Sequence, residues 1–261
     1  MTGLRYVYAV CRPLGAPLQA QLTGVAGAPA KMLTHHGLVA VVSEVPERDF
    51  SEEPLRTHLE DLDWLAATAR AHQGVIDALT VVTTPLPLRM ATVFRDDSGV
   101  RSMIESREEH IRATLERLQG RVEWGVKVYL ETEQPQEAEA SPAETGPKAA
   151  SGRDYLRRRR QQTMAREDVW QKAETFATRL HEKLSAFAED SRLHAPQNAT
   201  LSGAAGRNVL NAAYLVPRGH SEEFVELVDR TKDDAPGLRV ELTGPWAAYS
   251  FAGELPQQEV P

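Results

Sequence analysis

Few groupings in this chain combine the residue types and spacing that chemistry needs. His181-Glu182 begins like a zinc-hydrolase helix, where two histidines one turn apart hold the metal and the intervening glutamate is the general base. Ser185 stands where the second histidine must be, so the pair reads as a surface ion pair. His35 and His36 are neighbours in an expected strand, which should send their side chains to opposite faces and keep them from sharing a metal. Glu60, Asp61 and Asp63 are the right type for acid/base carboxylates, but one to three residues apart on a helix they read as a solvated face. Gly203-Ala204-Ala205-Gly206-Arg207 is poor in glycine for a phosphate cradle and precedes a strand, which makes it a turn. There is no G-x-G-x-x-G, no Walker lysine loop and no G-x-S-x-G elbow. The expectation is a protein without catalytic residues, metal or cofactor.

Two arginine features remain. Arg157-Arg158-Arg159-Arg160, with Arg153 before them, could meet phosphate, although four successive helical residues spread around the circumference and form no single stripe. Arg89 interrupts the apolar run Pro85-Leu86-Pro87-Leu88-Arg89-Met90-Ala91-Thr92-Val93-Phe94. It reads as a half-buried arginine bonded to carbonyls or a carboxylate, or as a partner contact at a domain surface. These features support the rival readings: a nucleic-acid or small-anion-binding cytoplasmic protein using Arg157–Arg160 or Arg89, and an enzyme that holds an anionic substrate on Arg89.

The elements that must position these residues follow from patterning. Leu4–Cys11 reads as a strand, Lys31–His35 as a second, and His36-Gly37 as a turn into the continuously apolar, centrally buried run Leu38–Val42. A helix is expected from Ser51 through Leu55, Leu59, Leu62, Leu65, Ala66, Ala69, Val75, Ile76 and Leu79. Pro85 and Pro87 cannot donate to a ladder, so no regular central strand forms there, while Leu88–Phe94 is expected to be extended. Ser98 is the expected N-cap of a helix running to about Gln119, with Val100, Met103 or Ile104, Ile111, Leu115 and Leu118 on its apolar face and Gly120 ending it. Val122–Glu131 is a strand, and residues 131–151 an acidic, proline-containing loop expected to be disordered. A helix over 153–189 carries Val169, Ala173, Phe176, Leu180, Leu184 and Phe187 as its buried stripe. Short strands near Thr200-Leu201 and over Leu210–Val216, a helix over Ser221–Thr231 and a strand over Leu238–Thr243 complete the set.

The expected fold class is α+β in two domains: residues 1–120 as an N-terminal α+β domain, and residues 121–261 as a ferredoxin-like α+β domain with a long helix, the loop 131–151 and a C-terminal tail. With 261 residues, 41% of them hydrophobic, a core is within reach for both. The net charge of -7 argues against a general nucleic-acid binder. The single cysteine, Cys11, excludes an intrachain disulfide framework and reads as a small buried hydrophobe. Met1–Val10 lacks a basic leader, and no apolar run reaches the length of a membrane helix, so a cytoplasmic protein is expected. Asn198-Ala199-Thr200 is a glycosylation sequon that such a protein would not use.

Several short stretches, in order along nearly the whole chain, carry a family resemblance. They are Tyr6-Val7-Tyr8-Ala9-Val10, Gly37-Leu38-Val39-Ala40-Val41-Val42-Ser43, Ala71-His72 leading into Pro87–Phe94, and Glu123-Trp124-Gly125-Val126-Lys127. Then come Asn211-Ala212-Ala213-Tyr214-Leu215-Val216, Val240-Glu241-Leu242-Thr243-Gly244-Pro245-Trp246, and Tyr249-Ser250-Phe251. Together they resemble the GvpL/GvpF family of gas vesicle proteins. The chain departs from the pattern at Met90-Ala91, where an aromatic and a glycine are expected, at Ala247-Ala248, where prolines are expected, and in a longer acidic loop. The resemblance implies an N-terminal α+β domain joined to a modified ferredoxin-like domain. It also implies a role as assembly factor or minor structural protein of gas vesicles. The implied partners are the main gas vesicle shell protein and other accessory proteins, with no nucleic acid and no membrane. Arg89, Phe94, Trp124, Trp246, Tyr249 and Phe251 are the candidate partner-binding residues.

Overall fold

The computed structural model describes residues 3–15, 22–131, 152–196, 206–232 and 236–253. Most of the expected acidic loop, the sequon, the strand near Thr200-Leu201, the start of the Gly203–Arg207 turn and the end of the C-terminal tail lie outside the described residues. The chain forms two compact units, Met1–Glu123 with Pro245–Pro261, and Trp124–Gly244. The sequence placed all of 121–261 in the second; the structure puts residues 121–123 and 245–253 with the first.

The first unit is built on the strands β1 (Gly3–Cys11), β2 (Lys31–His35), β3 (Leu38–Pro46), β4 (Leu86–Pro87) and β5 (Val93–Phe94). The sheet order is β2-β3-β1-β4, with β5 also paired to β1, and every pairing is antiparallel. Inside it, β3 is buried without a break from Leu38 to Ser43, as its apolar run predicts. A register shift between Val7 and Ala9 resets the alternation of β1. Leu4, Tyr6, Tyr8, Ala9 and Cys11 therefore all join one core cluster with Val75, Ile76 and Leu79. The Cys11 thiol donates to the Val39 carbonyl, and burial pushes its pKa up to about 12, so it behaves as a hydrophobe.

The helices are α1 (Glu47–Phe50), α2 (Glu52–Glu60), α3 (Leu62–Val82), α4 (Asp97–Ser106) and α5 (Glu108–Leu118). The single helix expected from Ser51 to Leu79 is broken at Asp61, whose carboxylate accepts the Asp63 and Trp64 N–H groups and caps α3. The break resets the helical phase. Leu62, expected on the buried stripe, is 76% exposed, while Thr68, His72, Val75, Ile76 and Leu79 turn inward. The cap of α4 is Asp96, not Ser98: its carboxylate accepts the Gly99 N–H at 2.9 Å. The helix expected to run to Gln119 breaks at Arg107, but Val100, Met103, Ile104, Ile111, Leu115 and Leu118 are all buried as expected.

The second unit follows β6 (Arg121–Leu130) with α6 (Gly152–Phe187), β7 (Asp190–Leu193), β8 (Arg207–Pro217), α7 (Ser221–Asp229) and β9 (Leu238–Trp246). Its sheet runs β7-β8-β6-β9. The chain enters this unit within β6 and leaves it within β9. On α6, Ala173, Ala177, Leu180 and Leu184 are buried, but Val169 is exposed, so the stripe starts a turn later than expected. Phe224 lies at the centre of an aromatic cluster with Tyr214, Phe187 and Trp124. His181 is part of this core and not of a surface ion pair: its Nδ1 lies 2.9 Å from the Tyr214 hydroxyl, and the ring is half-buried.

Candidate functional site

The unusual stretch around Arg89 wraps the middle of β1. Leu86 and Pro87 pair with Val10 and Ala9 at the sheet edge, where the missing proline N–H is tolerated. The expectation that Leu88–Phe94 is extended fails: the chain turns at Arg89–Thr92 before β5 resumes pairing at Val93 with Tyr6. The Arg89 carbonyl accepts both the Thr92 N–H and, at 2.6 Å, its hydroxyl. Ala91 takes a left-handed conformation, with φ of 65°. Its N–H donates to the buried Tyr6 hydroxyl at 3.0 Å.

That hydroxyl opens a polar chain through the core. Tyr6 Oη lies 3.0 Å from His72 Nδ1, His72 Nε2 lies 3.1 Å from the Tyr249 hydroxyl, and Tyr249 donates to Gln73 Oε1 at 3.4 Å. One arrangement satisfies every member: Tyr6 donates to Nδ1, and the protonated Nε2 donates to Tyr249. Burial lowers the His72 pKa to about 4, so the ring is neutral at pH 7, and burial also raises Tyr6 and Tyr249. A second buried hydroxyl, Tyr8, accepts the Val25 N–H and donates to Ser43, which reaches the Pro29 carbonyl. The C-terminal segment is fixed by the Glu123 carboxylate, which accepts the Ser250 N–H and hydroxyl, each at 2.7 Å. These hydrogen bonds pair the buried hydroxyls and the imidazole with one another and with the backbone, among the neighbouring rings of Tyr6, Tyr8, His72 and Tyr249.

The six sequence-derived candidates separate by burial. Arg89 is exposed and not half-buried, Trp246 is 41% exposed, and Phe94 and Tyr249 are half-buried. Trp124 and Phe251 are buried. Trp124 stacks on Phe224 with its indole N–H 3.4 Å from the Ser221 hydroxyl, while Phe251 accepts a hydrogen bond from Arg117 through its carbonyl. Both are packing residues in their own units. Of the Arg157–Arg160 run, Arg157, Arg159 and Arg160 are exposed on α6.

The histidine pair departs most from expectation. His36 sits at φ 47° and Gly37 at φ 69°, in the two-residue turn between β2 and β3. The left-handed turn ends the strand alternation, so the two rings stack, with centroids 4.3 Å apart, instead of facing opposite ways. His35 Nε2 lies 2.6 Å from Glu105, and His36 Nδ1 lies 2.7 Å from Glu108. The His36 contact, and after it that of Arg112, holds the Glu108 carboxyl below its usual pKa. The His-Gly turn signal was present in the sequence; what it lacked was the α4–α5 carboxylates that meet the tip. The buried role of His72 was legible only as an i, i+3, i+4 phase with Thr68, Val75 and Ile76.

The family model for GvpL/GvpF, described as gas vesicle synthesis protein, matches residues 4–253. The chain belongs to the GvpL/GvpF family. It is 56% identical over 250 residues to gas vesicle protein L of Streptomyces sp. (strain CB03234), covering 96% of this chain and 93% of that one. Gas vesicle protein F of the same strain is 27% identical over 254 residues, covering 94% and 98%. The crystal structure of the gas vesicle protein GvpF from Anabaena sp. PCC7120 superposes with a TM-score of 0.68 at 17% identity, covering 97% of this chain and 99% of that one. That of GvpF from Microcystis aeruginosa gives 0.67 at 18%, covering 97% and 100%. These GvpF chains share the mixed helix-and-sheet fold. Among the described residues, no helix is long and apolar enough to cross a membrane.

Proposed function

We propose that this member of the GvpL/GvpF family is a non-enzymatic gas vesicle assembly factor or minor structural protein. In this reading it is cytoplasmic and associated with gas vesicles, binds the hydrophobic main shell protein together with other accessory proteins, and helps nucleate the vesicle wall. Neither nucleic acid nor membrane is a partner. The observation that carries the reading is the match of residues 4–253 to a family described by gas vesicle synthesis.

Physical reasoning supports the finer part. A subunit that faces a gas space must present apolar surface, and such surface aggregates unless a partner covers it before assembly. The first unit offers exposed apolar side chains in Leu62, Val81 and Trp246, and Met32 on β2, which ends the sheet order. An edge strand with apolar neighbours suits pairing with an extended segment of another chain. In the second unit, the order β6-α6-β7-β8-α7-β9 with the sheet order β7-β8-β6-β9 supports reading it as the modified ferredoxin-like domain, joined to an N-terminal α+β domain.

The test is a reciprocal pull-down, with the full chain and the main shell protein each used as bait. Capture in both directions is expected. Failure in both directions, with folded protein on the resin, rejects shell-protein binding.

A further inference from the structure

We propose that the β2–β3 hairpin tip and the end of α4 form a binding site for a zinc-class divalent cation, with His35, His36 and Glu105 as its ligands. The three side chains lie in the first unit, and one donor atom from each falls within 4.8 Å of the others. The left-handed turn at His36-Gly37 brings the adjacent imidazoles to the same side. Glu105 then faces both rings through one oxygen, 2.6 Å from His35 Nε2 and 3.9 Å from His36 Nε2. Zinc bonds to nitrogen and oxygen of about 2.0–2.1 Å set a tetrahedral ligand spacing of roughly 3.3 Å. The two observed spacings bracket that value, so small rotations, chiefly of the half-exposed His36 and Glu105 side chains, bring the set to bonding distance.

The surroundings separate this cluster from an ordinary surface ion pair. His36 Nδ1 is engaged by Glu108 Oε2 at 2.7 Å, which leaves Nε2 as the nitrogen turned to Glu105. The other oxygen of Glu108 accepts from Arg112 Nε at 2.8 Å, and Arg112 also donates to the His36 carbonyl. A carboxylate that orients a histidine through its second nitrogen is the usual support for a metal-bound imidazole. Here that carboxylate is itself held, and the same arginine holds the turn. Two imidazoles and one carboxylate suit zinc and its neighbours, whereas magnesium and calcium require oxygen ligands. His36 and Glu105 are each about half exposed, so a fourth position opens to water. A bound ion would clasp the hairpin tip to α4.

The full chain, stripped with a chelator and dialysed, is titrated with zinc chloride by calorimetry and by competition with a chromophoric chelator. One zinc per chain is expected. His35→Ala, His36→Ala and Glu105→Gln should each weaken binding at least tenfold. Glu108→Gln should keep the stoichiometry but weaken binding by about ten- to a hundredfold. His194→Ala, an exposed histidine of the other unit, should leave the isotherm unchanged, and magnesium should not compete. Zinc should also raise the melting temperature of the wild type but not of the His35→Ala/His36→Ala variant. Circular dichroism establishes that each variant is folded. The absence of one saturable zinc site, or an isotherm that His35→Ala and His36→Ala leave unchanged, overturns the proposal.

Discussion

Glu123 and Ser250, 127 residues apart, meet through two hydrogen bonds of 2.7 Å: one carboxylate oxygen accepts the Ser250 N–H, the other its hydroxyl. This contact anchors the C-terminal segment to the unit that begins the chain. Hydrogen bonds to a charged group are each worth about 1.5–3 kcal/mol, and a stranded buried donor costs a similar amount. Glu123→Gln presents an amide N–H₂ to one of two donors. It should lower stability by about 2 kcal/mol in urea unfolding at pH 7. A change below about 0.5 kcal/mol, the range of an ordinary surface substitution, would show that the anchor is idle.

His72 makes stability depend on pH. Its folded pKa of about 4 lies below the 6.5 of an unburied histidine. Between those values the unfolded chain binds a proton that the folded chain does not, so stability falls as pH drops below 6.5 and levels off below 4. The full loss is on the order of 3 kcal/mol. His72→Gln removes the titrating group, and subtracting its stability-against-pH curve from that of the wild type isolates the histidine. Parallel curves from pH 7.5 to 4 would refute the assignment.

Ala91 occupies a position suited to glycine, the residue that the family resemblance leads one to expect there. A left-handed conformation costs a residue with a Cβ about 1–2 kcal/mol, and the greater freedom of glycine in the unfolded chain takes back roughly 0.4–1. Ala91→Gly keeps the N–H that donates to Tyr6 and should stabilise by up to about 1.5 kcal/mol. Tyr6→Phe should act oppositely. It removes the hydroxyl that serves both Ala91 and His72, at a cost of about 1–3 kcal/mol. Thermal unfolding of the two variants checks the opposite signs.

These residues show where the sequence is informative. The apolar face of α4 and α5 follows from periodicity, because burial on one face writes a repeat into the chain, and β3 follows from its unbroken apolar run, the mark of a strand covered on both faces. The break at Asp61 was hidden because the apolar positions on either side of it continue a plausible helical phase, and only the cap shows that they belong to two helices. Stacking of His35 on His36 depends on φ at one turn residue, which overrides the strand alternation. The junction of Glu123 with Ser250 has no local signal, since polar partners far apart in sequence leave no periodic trace. Burial likewise divided the six motif-derived candidates, since residue type alone does not say whether an aromatic in a motif packs or faces solvent.

Trp246 and Phe251, five positions apart in the same returning segment, separate those two roles experimentally. Phe251 is fully buried, and truncation to alanine should cost about 3–5 kcal/mol, so any loss of partner binding would follow from unfolding. Trp246 keeps 41% of its surface in solvent, and Trp246→Ala should change stability by less than about 1 kcal/mol. Tryptophan is among the side chains enriched at the energetic centre of protein interfaces. If Trp246 anchors the shell protein, its alanine variant should remain folded by circular dichroism yet retain the shell protein about tenfold less well in the pull-down. Retention equal to wild type by a folded Trp246→Ala variant would move the contact elsewhere, with the exposed side chains of Leu62 and Val81 next to be substituted.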